Sequence, residues 1–120
     1  MRSSSGEKKI YDILSSSGIK FKEEYTFPDL VCRNGRHLRF DFAVFTLDGS
    51  RIAFLIEFQG EQHYKPVKFY GGQKKFNKQR YNDARKRAYC KKHRIPLVVI
   101  PYYDEPKLDL GYILEKAGLC

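Results

Sequence analysis

Cysteine is scarce in this 120-residue chain, and long apolar runs are absent from it. The three cysteines (Cys32, Cys90 and Cys120) are an odd number without a C-x-x-C pair, which argues against a disulfide framework and a structural zinc site. No apolar run approaches the roughly 20 residues that cross a bilayer, and no apolar stretch follows the basic N-terminal residues as in a secretory signal. We therefore expect reduced thiols in a protein that is cytoplasmic (or nuclear or nucleoid-associated), without membrane segments and not secreted.

Acidic residues are also in the minority. The chain has 14 Asp and Glu against 23 Lys and Arg, a formal charge of +9, and such an excess attracts polyanionic partners. Hydrophobic residues make up 42% and aromatic residues 15% of the sequence, which excludes a disordered chain. The length predicts a single domain that spans residues 1–120.

The first element is predicted to be a short helix. Ser4 and Glu7 have the spacing of a capping box, and Ile10, Ile13 and Leu14 follow at helical spacing. Ser15 to Gly18 ends the helix.

Alternating and continuous apolar runs predict the rest of the fold. The predicted elements are strands at Ile19–Phe27 (closed by Pro28 and Asp29), His37–Thr46, Arg51–Gln59 and Ile95–Pro101, a turn at Cys32–Arg36, and helices at Gln73–His93 and Leu108–Ala117. In the long helix, Phe76, Tyr81, Ala84 and Ala88 recur at helical spacing. The order α-β-β-β-α-β, with a final helix, predicts an α/β (α+β) domain with a central mixed sheet flanked by helices.

The register of the central hairpin follows from its apolar residues. Alternation places one apolar row on each strand: Leu38, Phe40, Phe42 and Val44 on the first, and Ile52, Phe54, Ile56 and Phe58 on the second. A three-residue loop, Asp48 to Ser50, with a bulge at its glycine lets both rows face one core. In that register Asp41 lies opposite Glu57, and Arg39 lies opposite Gln59.

Opposed side chains have Cβ atoms about 4.5–5.5 Å apart, so the Asp41 and Glu57 carboxylates repel each other unless a proton or cation lies between them. A divalent metal with oxygen ligands meets that need. The alternative is that both residues lie on a solvated face of the sheet. We favour the metal, because two charges among this much apolar surface need a compensating partner.

Two segments resemble the PD-(D/E)XK nuclease superfamily: Arg39-Phe40-Asp41-Phe42, and the run from Ile56 to His63 that contains E-x-x-G-x-x-H. Within it, the chain is most similar to the small very-short-patch-repair-like and resolvase-like branch. The predicted order of elements is also that superfamily's core, so the resemblance covers Glu7 to Tyr102. It implies a restriction-endonuclease-like fold.

The resemblance also implies a metal site. Asp41 and Glu57, with the backbone carbonyl of Phe58, would hold Mg²⁺, and Mn²⁺ would substitute for it. Glu7 matches an acid of the first helix that orients a ligand or a second metal; alternatively, it serves only the helix cap.

One position departs from the superfamily pattern. Gln59 stands where lysine is usual; glutamine carries no charge but can hold a water molecule or donate to a phosphate. Lys86 of the second helix is a candidate to supply the missing charge, and the alternative is that it is one of many solvated lysines. His63 matches a histidine that acts as a general acid or contacts phosphate, or it is an incidental loop residue.

Positive charge is concentrated between Lys65 and Arg94, where twelve cationic residues accompany one acid, Asp83. Interleaved aromatic residues favour binding of a phosphate backbone in a groove beside the acidic site. The residues predicted to contact nucleic acid are Arg39, Lys65, Lys68, Lys74, Lys75, Lys78 and Lys86. A polar stripe of the long helix, Gln79, Asp83, Lys86 and Cys90, is a candidate to approach the catalytic face.

The leading hypothesis is a Mg²⁺-dependent DNA endonuclease that is directed by structure, by damage, by dimerisation or by a partner protein. A non-catalytic nucleic-acid-binding protein on a nuclease-like core is the first alternative. An RNA-directed nuclease is the second, because backbone contacts do not separate DNA from RNA.

Overall fold

The chain folds into four strands and three α-helices in a computed structural model that describes residues 4–61, 64 and 72–119. The elements are α1 (Ser5–Ser16), β1 (Phe21–Val31), β2 (His37–Phe45), β3 (Ile52–Gln59), α2 (Gly72–His93), β4 (Leu97–Pro101), a 3₁₀ helix (Tyr102–Lys107) and α3 (Leu110–Lys116). Within these ranges, no helix is both long and apolar enough to span a membrane.

The sheet has the strand order β1-β2-β3-β4. β1 with β2 and β2 with β3 are antiparallel, whereas β3 and β4 are parallel. A parallel pair needs a long crossover, and α2 lies in that connection. The predicted α+β class with a central mixed sheet and helices is confirmed.

All four strands differ in their bounds from those predicted, β2 and β3 by one residue and β1 and β4 by more. The prediction that Pro28 and Asp29 close β1 was wrong, because β1 continues to Val31. Proline is tolerated there since β1 is an edge strand and its pairing with β2 is irregular after Thr26. β4 begins only at Leu97, because the Ile95 N–H donates to the α2 carbonyl of Cys90 at 2.9 Å.

The hairpin register agrees with the prediction. Phe42 lies opposite Ile56 and Val44 lies opposite Phe54, and continuing this register by one residue places Asp41 opposite Glu57. The apolar pattern was sufficient because a slip of one residue would move every apolar side chain of β3 to the wrong face.

The structural feature that sets this register differs from the predicted three-residue loop. The Thr46 N–H donates to the Arg51 carbonyl at 2.9 Å, so four residues connect the strands instead of the three expected from Asp48 to Ser50. The register shift lies within the strands, between Val44 and Phe45, where Ala53 is the extra residue of β3. A β-bulge at Ala53 therefore supplies the correction that was expected at Gly49.

The alternation predicted a single face for each apolar row. This was wrong for β2 and for the start of β3, where Ile52 packs in a different cluster from the rest of its row. Phe42 and Val44 pack in one core cluster, whereas Leu38 and Phe40 pack in another. The change occurs where the ladder between β1 and β2 skips one position, and Glu24 of β1 has φ 51° there. Asp41 lies opposite that position, at the point where β2 changes face.

The two clusters lie on opposite faces of the sheet. Ile56 belongs to the first cluster with Ile10, Leu14 and Ile113, so α1 and α3 cover that face. Adjacent strand residues point to opposite faces, and Leu55 belongs to the second cluster with Cys90 of α2. Complete burial of a leucine or isoleucine side chain in these clusters stabilises the fold by about 1.5–3 kcal/mol.

The long helix presents an unexpected side to this core. Tyr81 is 49% exposed, and the predicted apolar positions Ala84 and Ala88 are also exposed. Asp83 and Cys90 are buried instead. α2 therefore packs with part of its polar stripe inward, which the charge of the segment had obscured.

Candidate active site

Two hydrogen bonds from backbone N–H groups hold the carboxylates of Asp41 and Glu57. The Asp41 N–H donates to Glu57 Oε2 at 2.9 Å, and the Phe58 N–H donates to Asp41 Oδ2 at 2.7 Å. Each carboxylate is thus oriented by the strand that carries the other. Both side chains line the same cleft of the protein.

Lys86 reaches this pair from α2. Its Nζ lies 2.9 Å from Glu57 Oε1, with the two side chains 13% and 5% exposed. The same Nζ lies 5.5 Å from the centre of the Phe40 ring, whose π face favours a cation. The residue is therefore part of the site and not a solvated lysine.

Glu7 approaches Asp41 from the opposite layer. The Ser4 hydroxyl accepts from the Glu7 N–H at 3.1 Å and caps α1. The preceding residue, Gly6, is buried against Phe58, and a Cβ built on it would lie 2.1 Å from a ring atom. Only glycine permits this approach, which brings the first turn of α1 to the carboxylate pair.

The pKa of Asp41 is raised to about 9, mainly by burial and also by the charges of the nearby Glu57 and Glu7 carboxylates. A hydrogen bond between the Asp41 and Glu7 side chains acts in the same direction. Two carboxyl groups share a hydrogen bond only when one holds a proton. The raised pKa of Asp41 therefore favours a protonated carboxyl group in the metal-free site.

Burial also raises the pKa of Glu57, and Lys86 opposes that change through its charge and its hydrogen bond. The backbone bond from Asp41 favours the ionised form as well, whereas the charge of Asp83 disfavours it. Burial has a larger influence on the pKa of Glu57 than any of these charges and hydrogen bonds.

The donor chemistry of this site suits a hard cation. Asp41 and Glu57 provide oxygen atoms, and the adjoining Phe58 provides a backbone carbonyl; Mg²⁺ is commonly bound through one or two carboxylates and keeps several waters. Across the described residues, no three His, Cys, Asp or Glu side chains form a ready-made metal cage. The residues present fit Mg²⁺ bound by two carboxylates, rather than zinc.

Of the two remaining predicted catalytic residues, Gln59 is described by the structure and His63 is not. Gln59 is 8% exposed at the end of β3. His63 lies outside the described residues, as do Lys65 and Lys68.

Most of the predicted cationic residues that are described line one cleft of about 1240 Å³. Lys75, Lys78 and Lys86 lie on its α2 side, and Arg39 lies on β2. Arg39 also pairs with Glu24 at 2.8 Å, with 64% and 38% of the side chains exposed. Lys74 is exposed on α2 and is not among the lining residues.

Sequence reasoning named one part of the site only as a member of a candidate stripe, and it missed another part. Asp83 is 7% exposed and close enough to Glu57 to affect its pKa; its place on the stripe with Lys86 was the available signal. The other part is the turn between β1 and β2, where Arg36 and His37 line the cleft. No sequence signal placed that turn beside α2.

Comparison with known proteins gives a short match. No family model matches the chain, and no solved structure matches it. "Uncharacterized protein 094L" of Frog virus 3 (isolate Goorha) is 45% identical over 49 residues, which are 39% of this chain and 32% of that protein. The match thus spans about a third of the relative's length. This chain is similar to that viral protein over a limited segment.

Proposed function

We propose that this protein is a Mg²⁺-dependent nuclease that hydrolyses phosphodiester bonds of DNA on a restriction-endonuclease-like core. The proposal rests mainly on one observation: the carboxylates of Asp41, which is half-buried, and Glu57, which is buried, lie on adjacent strands and are fixed by reciprocal bonds from backbone N–H groups. Burial and the neighbouring carboxylates also raise the pKa of Asp41, which favours a proton there. A divalent cation can take the place of that proton.

Asp41, Glu57 and the carbonyl of Phe58 would hold the metal. When bound, Mg²⁺ supplies positive charge for the phosphate and lowers the pKa of water. The protein contributes the fixed orientation of its oxygen ligands, because the Asp41 and Phe58 N–H groups restrain both carboxylates.

Lys86 provides the positive charge that Gln59 lacks. Its ammonium group lies at Glu57 and beside the cleft, where it can donate to a phosphate oxygen as that oxygen gains charge. Gln59 can position a water molecule through its amide without taking its proton. We assign charge stabilisation to Lys86, which lines the cleft. Gln59 is buried and is not among the lining residues, so its role in orienting water is only the one that the resemblance implies.

The cations of α2 supply the attraction for the substrate. Lys75 and Lys78 line the same cleft as the carboxylates, so a backbone bound by them passes close to Asp41. Contacts of this kind carry no base specificity.

One observation favours a second candidate, a nucleic-acid-binding protein without catalytic activity. Lys86 already pairs with Glu57 at 2.9 Å, and this ion pair compensates the charge of Glu57 without a metal. Under that alternative, metal would bind weakly and the cleft would only hold the polynucleotide.

Cleavage assays separate the two candidates. Closed circular plasmid, a mismatched duplex and a branched duplex are incubated with Mg²⁺, Mn²⁺ or EDTA, beside Asp41→Ala and the surface control Arg87→Ala. Metal-dependent cleavage of at least one substrate that is lost in Asp41→Ala and kept in Arg87→Ala supports the nuclease. Absence of cleavage on all three, together with retained binding, supports the alternative. An RNA of the branched sequence tests the RNA-directed nuclease in the same assay.

A further inference from the structure

The carboxylate pair lies in a recess. Glu57 is 4% exposed, and Asp41 is half-buried beneath the cleft that both residues line. A phosphodiester has to enter the cleft to reach them. A strand held within a stacked double helix has little freedom to do so, whereas an unpaired strand can bend inward.

The turn between β1 and β2 is in contact with α2, and both elements contribute residues to the lining of the cleft. The guanidinium carbon of Arg33, in the turn between β1 and β2, lies 5.6 Å from the centre of the Tyr81 ring on α2. Arg85 of α2 donates to the Val31 carbonyl at the start of that turn. These contacts join the turn to the helix beside the cleft, which disfavours a stiff double helix lying through the space between them.

The size of the cleft agrees with a short strand. Its volume of about 1240 Å³ is somewhat larger than the roughly 300–1000 Å³ of pockets that hold one small molecule. A few nucleotides of one strand fit that space.

The walls carry groups that suit an unpaired strand. Arg36 on the turn and Lys78 on α2 face the same cleft as the side-chain amides of Gln79 and Asn82. Asn34 Oδ1 accepts from the Arg36 N–H at 3.0 Å and so stabilises the turn. Cations bind the backbone, while amides can donate to and accept from base edges, which are free when a base is unpaired.

We infer that the cleft takes a single polynucleotide strand, as at a frayed end, a loop or a displaced strand, and not a continuous double helix. This inference names the substrate class of the proposed nuclease and rests on that function for its catalytic meaning. The binding itself requires no metal.

Binding is measured by fluorescence anisotropy in EDTA with a labelled 20-nucleotide DNA strand, the same sequence as a duplex, and the same sequence as an RNA strand. We expect the single strand to bind about tenfold tighter than the duplex at equal salt. The RNA arm decides which sugar the strand carries. A duplex that binds as tightly as the strand would overturn the inference.

Two variants and one control locate the binding. Arg36→Ala and Lys78→Ala should each weaken strand binding and reduce the slope of log affinity against log salt by about 0.7. Arg87→Ala, an exposed cation of α2 outside the cleft lining, should leave both unchanged. Equal losses in all three variants would place the strand elsewhere on the basic surface. Since no divalent ion is present, these results stand whether or not the protein cleaves DNA.

Discussion

Gly6 shows how one missing side chain can position a reactive group at the residue scale. It lies against the Phe58 ring, and the next residue, Glu7, interacts with Asp41. A methyl group at position 6 would overlap three ring atoms at 2.1–2.5 Å, so α1 or the ring would have to move. The contact therefore sets the distance from Glu7 to the carboxylate pair.

We expect Gly6→Ala to destabilise the protein by about 1–3 kcal/mol through overpacking. It should also weaken Mn²⁺ binding about 10- to 100-fold, as displaced supporting groups do at metal sites. Urea unfolding and calorimetry measure the two effects. Gly111→Ala is the matched control, because its Cβ would make only an ordinary 3.5 Å contact.

A second substitution, Phe58→Leu, tests whether the ring of Phe58 causes the effect of Gly6→Ala. If the ring is the obstacle, adding this substitution to Gly6→Ala should recover much of the lost Mn²⁺ affinity. Unchanged affinity in Gly6→Ala itself would show that α1 does not position the site.

Lys86 has a different role at the same scale. Its removal leaves Glu57 buried without a cation, so Lys86→Met should destabilise the metal-free protein by about 3–5 kcal/mol. Lys107→Met breaks a pair at 3.6 Å in which the lysine side chain is 72% exposed, and should cost less than about 1 kcal/mol. Urea titration at pH 7 compares the two.

The pH dependence of that loss identifies its cause. Without Lys86, the pKa of Glu57 in the folded protein rises further above its unfolded value, because burial then acts with less opposition. The folded state then holds a proton that the unfolded state releases, so the destabilisation should be smaller at pH 5 than at pH 8. A loss that is independent of pH would point to lost packing.

At the scale of the elements, the bulge at Ala53 determines which face Glu57 occupies. The connection between β2 and β3 alone would leave the strands one residue out of register, and the extra residue corrects it. Deletion of Ala53 should therefore either rotate Glu57 and the apolar row to the wrong faces or prevent folding.

Circular dichroism and Mn²⁺ calorimetry test that deletion. Deletion of Leu47, which is 97% exposed in the connection, is the control and should retain both the fold and metal binding. A protein without Ala53 that bound Mn²⁺ normally would contradict the assigned role of the bulge.

The same elements show what the sequence could predict. The strands His37–Phe45 and Ile52–Gln59 and their register follow from alternating apolar residues, because a slip of one residue would exchange the faces of Phe54, Ile56 and Phe58. The bulge position, the change of face near Glu24 and the extension of β1 past Pro28 depend on tertiary pairing. No local pattern specifies them.

The candidate site divides in a similar way. The proximity of Asp41 and Glu57 could be derived from the register, and the place of Lys86 followed from its helical stripe. The part of the cleft lining that contains Arg36 could not be derived, because it requires α2 to pack against a turn that is distant in sequence. Asp83 was visible on the stripe, but its burial depends on the inward rotation of α2.

At the scale of the whole molecule, the protonated Asp41 links stability to pH. Its pKa is raised to about 9 in the folded protein from an ordinary value of 3.8, so the folded state binds more protons between those values. Stability from this group is complete below about pH 4 and is lost as the pH rises towards 9, with a slope of up to about 1.4 kcal/mol per pH unit.

Thermal or urea unfolding between pH 4 and 9 should show this decline in the metal-free protein, and Asp41→Asn should flatten it. Asp48→Asn is the contrasting control: its pKa is lowered to about 2, first by the bond from the Ser50 N–H, so that residue adds no slope above pH 4. A wild-type profile that is flat from pH 5 to 8 would exclude the proton at Asp41.

The most direct test of the central claim is calorimetry of Mn²⁺ binding in two buffers that differ in ionisation enthalpy. The wild-type protein should bind Mn²⁺ and release a proton from Asp41, with affinity that rises from pH 6 to 8. Glu57→Gln and Asp41→Asn should each bind at least about tenfold more weakly. Equal Mn²⁺ affinity in all three proteins, or no binding by the wild type, would contradict the account.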